Sequence, residues 1–102
     1  MNLYMVYRID RDDGQAAAIR AATRPAHRAY MDQFAGRVHL GGPILDAAGQ
    51  GRGGLMVIEA ESEEAVRALV ANDPFEIAGL SSRIDIHPFR WQTKRPADLP
   101  PL

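Results

Sequence analysis

The chain has 102 residues, 46% of them hydrophobic and 25% charged, with no cysteine and a formal net charge of −1. That length fits one domain of ordinary globular composition. Disulfides, thiolate nucleophiles and cysteine-bound metals are excluded, and the charges are too evenly mixed to form the basic stripe that nucleic acid requires. No window approaches the ~20 apolar residues of a membrane helix. Met1–Arg8 has neither the basic start nor the long apolar run of a signal peptide. These readings predict a cytoplasmic protein with no membrane or nucleic-acid partner.

Leu3–Ile9 is aromatic and branched, ends at the turn Asp10-Arg11-Asp12-Asp13-Gly14, and reads as a strand apolar on both faces. Gln15–Ala35 is alanine-rich and helical. Pro25 costs a helix interior a hydrogen bond, so two pieces are expected, the second capped by Thr23. On that second piece His27, Tyr30, Met31 and Phe34 recur at helical spacing and face the sheet, with Arg28 and Asp32 pointing away. Gly36 ends the helix.

Arg37–Ile44 is the second strand, with a bulge or close backbone approach expected at Gly41-Gly42-Pro43. A flexible loop carrying Asp46 leads to a third strand over Gly54–Ala60. Ser62 caps a helix whose buried stripe is Val66, Leu69 and Val70. Asp73-Pro74 starts a short extra turn, with Phe75 and Ile77 inward and Gly79 at its end. Ser82–Trp91 is the last strand.

The resulting β-α-β-β-α-β order predicts an α+β, ferredoxin-like fold. Four antiparallel strands carry the helices on one face over residues 1–91, and 92–102 form a proline-rich tail read as an extended arm. The other sheet face is apolar in the first and third strands and needs a cover. The expected cover is a second copy, in a homodimer or higher homo-oligomer; a lipid-like ligand is the alternative.

The candidate chemistry lies at the turn after the second strand. Asp46 and the inward-facing His27 are expected to meet beside a pocket, the carboxylate fixing the ring's tautomer and leaving the other nitrogen to act as base. Arg24, Tyr7, Tyr30, Asp73 and Phe75 are candidate contacts for a small ligand, although Asp73 reads most simply as a helix cap. A zinc site from His27, His39 and Asp46 is set aside, because no ligand pair has a compact helical spacing.

Arg24-Pro25-Ala26-His27 with Tyr30, Gly42-Pro43-Ile44-Leu45-Asp46, Val57-Ile58-Glu59-Ala60, Asp73-Pro74-Phe75 with Ala78-Gly79-Leu80, and Pro88-Phe89-Arg90 follow one another in a series. That series resembles the YCII-related proteins of the dimeric α+β barrel group. The resemblance implies a ferredoxin-like fold, a dimer or larger assembly, and an active site with a His–Asp dyad, which falls on His27 and Asp46. Its characterised chemistry includes chloride elimination from a chlorinated hydroxyhydroquinone without a cofactor; other members are linked to sigma-factor regulation. Serine is frequent in that family where this chain has Gly54, so that position is expected beside the substrate. The function expected is cofactor-free, metal-free proton transfer of lyase or isomerase type on a phenolic or lactone-like compound. The alternative is a non-catalytic ligand-binding or regulatory module.

Overall fold

The computed structural model describes residues 1–99. Four strands, β1 (Asn2–Asp10), β2 (Val38–Leu45), β3 (Gly51–Ala60) and β4 (Ser81–Phe89), form one sheet in the order β2-β3-β1-β4. Every neighbouring pair is antiparallel. The helices are α1 (Ala16–Asp32), α2 (Glu63–Ala71) and the single-turn α3 (Pro74–Ile77). This is the ferredoxin-like α+β arrangement, and no helix among the described residues is long and apolar enough to cross a membrane.

Alternation along β1 sends Tyr4 and Val6 to one face, where they meet Met56, Ile58 and Ala60 of β3 and Ile86 of β4. Val66, Leu69 and Val70 of α2 close this core, and Tyr30, Met31 and Phe34 of α1 pack against it. Each fully buried aliphatic side chain contributes about 1.5–3 kcal/mol. Ser62 caps α2 by accepting the Ala65 N–H. The opposite face carries Leu3, Met5, Tyr7 and Ile9, each half-buried, beside Leu55 and Val57.

Pro25 does not divide the first helix. α1 runs through it, with no cap at Thr23. Pro25 removes one hydrogen bond, to the carbonyl of Ala21, and both residues are exposed, so losing that bond does not leave a polar group in the core. His27 therefore sits in the second half of one long helix, away from that helix's own N-terminus.

The bulges of β2 flank the Gly41-Gly42-Pro43 run, between Val38 and Leu40 and between Ile44 and Leu45. The tight backbone approach is at Gly53, where a Cβ would lie 2.2 Å from the Arg8 carbonyl oxygen. Ile77 is 72% exposed, contrary to expectation: in a helix of one turn, two residues beyond the inward Phe75 is the opposite side. The tail is not extended. It turns at Thr93-Lys94 and again at Ala97-Asp98, and Leu99 is buried; the last three residues of the proline-rich arm lie outside the described residues.

Candidate active site

Arg8 and Asp10 are the charged residues among the inward positions Tyr4, Val6, Arg8 and Asp10 of the internal strand β1, and a charge there needs a partner. Arg8 Nη1 donates to Asp73 Oδ2 at 2.9 Å and to Glu76 Oε2 at 3.0 Å. Glu76 also accepts the Ser81 hydroxyl at 2.7 Å. Next along the same face, Asp10 takes both arms of Arg20 from α1, at 2.8 and 2.7 Å, the two-pronged geometry that suits guanidinium and carboxylate.

Asp73 is fully buried and combines three roles. It caps α3 by accepting the Phe75 N–H at 2.9 Å, it holds Arg8, and its Oδ1 lies 2.8 Å from His27 Nδ1. Burial alone would raise its pKa. The hydrogen bonds from His27, the Phe75 N–H and Arg8 outweigh that and hold the carboxyl below its ordinary value. An ionised carboxylate only accepts, so His27 Nδ1 carries the proton in this bond. The imidazole also stacks on Phe75, with ring centroids 4.1 Å apart and planes 21° from parallel. A hydrogen bond at one nitrogen and a ring against one face fix both the tautomer and the plane of His27. Among the described residues, Nε2 takes no hydrogen bond.

His27 lines a cavity of about 690 Å³ between α1 and the sheet. Val6, Met31, Val38, Met56 and Leu80 supply apolar lining, and Gly41, Gly42, Gly53 and Gly54 contribute backbone without side chains. A cavity of this size, largely apolar with a few convergent polar groups, suits a small organic molecule.

The structure separates His27 from Asp46. Asp46 is exposed in the β2–β3 hairpin, where Oδ1 accepts the N–H groups of Ala48 and Gln50, both at 2.9 Å. This is the local turn-capping role of a loop aspartate. The acid on the histidine is Asp73, 46 residues along the chain from it.

Tyr7 lies on the open sheet face because its neighbours Val6 and Arg8 point toward the helices, so it does not line this cavity. Tyr30 is not in the lining either; its hydroxyl donates to the Leu69 carbonyl at 2.7 Å and its ring meets Phe34 edge-on. Arg24, Gly54 and Phe75 do line the cavity. Arg28 and Asp32, expected to face away, line it as well, since the cavity reaches round the flank of α1. His39 pairs with Glu59 at 3.0 Å, so the histidines weighed for zinc have separate carboxylate partners.

Sequence reasoning missed Arg8, Glu76 and Arg20. A lone arginine in an otherwise apolar strand was the available signal for the first of these.

Residues 2–90 match the model of the YCII-related domain. The chain is 31% identical over 96 residues to Protein YciI of Escherichia coli O6:H1 and to Protein YciI of Shigella flexneri, covering 86% of this chain and 96% of each relative. A solved structure of 5-chloro-2-hydroxyhydroquinone dehydrochlorinase from Burkholderia phenoliruptrix AC1100, in complex with 2,5-dihydroxybenzoquinone, is 34% identical. It superposes with a TM-score of 0.77 over 88% of this chain and 93% of that one. A NIPSNAP domain protein from Burkholderia xenovorans shares the fold at 11% identity, with a TM-score of 0.53 and coverage of 94% and 99%.

Proposed function

We propose that this chain, which belongs to the YCII-related family, is a small enzyme of lyase type that moves protons on a hydroxylated ring, with His27 as acid–base group and Asp73 as its orienting partner. The observation that carries the reading is the single free nitrogen. Nδ1 is committed to buried Asp73, His27 lines a cavity, and its Nε2 has no hydrogen-bond partner among the described residues. A neutral imidazole so held accepts a proton at Nε2 and can return it. The dehydrochlorinase supports the substrate class, since its named substrate is a halogenated hydroxyhydroquinone.

On such a ring the elimination balances without an oxidant. One hydroxyl ketonises, its proton passing to the carbon that bears the halogen. Loss of the proton from the hydroxyl para to it then drives the ring electrons toward that carbon, and halide leaves as a quinone forms. The sum is loss of HX, and every step is a proton transfer or the departure of halide. General acid–base catalysis contributes typically ~10²–10⁴-fold, which suits a substrate as activated as this one.

The reading also takes a second copy of the chain as cover for the open sheet face. The half-buried Leu3, Met5, Tyr7 and Ile9 on that face support it.

Chloride release from 5-chloro-2-hydroxyhydroquinone tests the proposal. Wild-type protein is expected to accelerate release, and His27→Gln to lower the rate constant by ~10²-fold or more. Gln keeps a hydrogen-bond donor for Asp73 but offers no basic nitrogen. Equal rates for the two proteins would overturn the assignment.

A further inference from the structure

Four arginines line the cavity, and two of them are already committed: Arg8 to Asp73 and Glu76, Arg20 to Asp10. The other two, Arg24 and Arg28, lie one helical turn apart on α1 and bracket His27 in sequence. Both are exposed, and neither has a hydrogen-bond or ion-pair partner among the described residues. Asp32, a further turn along, also borders the cavity but forms no ion pair with Arg28. Two uncommitted cations against one carboxylate leave the rim net positive.

From this juxtaposition we propose that Arg24 and Arg28 form an anion clamp that selects small planar rings in their ionised form, as phenolates or enolates, over neutral rings of the same size. The inference rests on the acid–base reading of the same cavity, and it names the charge state that the cavity admits. The floor contributes the shape: Gly41, Gly42, Gly53 and Gly54 line the cavity with backbone alone, leaving a slot suited to a flat ring. Guanidinium groups match paired oxygens two-pronged, and the low-dielectric walls of a cleft concentrate their field on the ligand. Ionisation also advances the chemistry. A ring that arrives with one hydroxyl already deprotonated carries the electron pair that expels the halide, so His27 has one proton fewer to remove.

The clamp is tested by equilibrium binding, using 2,5-dihydroxybenzoquinone, whose vinylogous acid hydroxyls ionise below neutral pH, and neutral hydroquinone as its uncharged counterpart. Wild-type protein is expected to bind the anion more tightly, with a preference that shrinks as salt is raised. The double variant R24Q/R28Q is expected to lose roughly tenfold or more in affinity for the anion while binding hydroquinone as before. Both positions are exposed, so the fold is not at stake in the variant. Unchanged anion affinity in R24Q/R28Q, or a wild-type protein that does not distinguish the two rings, would overturn the clamp. The acid–base reading fails separately: charge-selective binding that survives in the absence of chloride release would leave the clamp standing and remove the enzyme. Chloride release with charge-blind binding would do the reverse.

Discussion

Replacing Asp73 by Ala is expected to lower the free energy of unfolding by about 3–5 kcal/mol, readable in urea denaturation. The carboxylate is fully buried and accepts from His27, Arg8 and the Phe75 N–H. Its removal leaves the half-buried Arg8 guanidinium with Glu76 alone, uncaps α3 and frees the imidazole, and buried groups left unpaired cost more than the bonds themselves are worth. Glu76, which shares Arg8, limits the loss to the lower part of that range. The same carboxyl ties stability to pH. Its pKa is lower in the folded chain than the ~3.9 of an unfolded aspartate, so its contribution is complete above that value and is lost as the pH falls through the lower, folded one. Asp73→Asn is expected to flatten this acid limb; an acid limb as steep as that of the wild type would show that Asp73 does not carry it.

Gly53→Ala is expected to be the most damaging single methyl addition in the sheet, costing about 3 kcal/mol or more. Its Cβ would stand 2.2 Å from the Arg8 carbonyl oxygen, 3.2 Å from that carbonyl carbon and 3.3 Å from Ile9 Cα. All three are backbone atoms of the central strand and cannot turn aside as a side chain would. The damage would fall at Arg8, so the charge network and the cavity shift together. The neighbour supplies the control. A Cβ at Gly54 meets only the Gly42 carbonyl oxygen, at 3.9 Å, so Gly54→Ser should fold normally and present a hydroxyl to the cavity. Thermal unfolding of the two variants side by side decides it: similar melting temperatures would contradict the close-contact account.

The fold was legible because its signals are local and repeated. Alternation in Tyr4 and Val6, the stripe Val66-Leu69-Val70 and the caps at Ser62 and Asp73 each point to the element that forms. Pro25 misled because its penalty depends on whether the freed carbonyl reaches water, and that depends on which side of the helix the packing leaves exposed. The histidine was legible as an inward residue, but its acid was not. Asp46 and Asp73 look alike in sequence, each an aspartate at a turn with a local capping role, and only the packing of α3 beneath α1 brings one of them to the imidazole. Arg8 held the missing information. A cation on the buried face of a central strand demands a buried anion, and Asp73 is one of the only two buried acids, with Asp10, among the described residues.

Turnover of Asp73→Asn and Asp46→Asn, measured together on 5-chloro-2-hydroxyhydroquinone, tests most directly which carboxylate serves His27. The amide at position 73 keeps the shape and can still cap α3, but it no longer dictates which ring nitrogen bears the proton. A loss of ~10²-fold or more is expected there, with a rate close to wild type for the exposed turn residue. Loss confined to Asp46→Asn, with Asp73→Asn fully active, would contradict the pairing of His27 with Asp73 and the chemistry built on it.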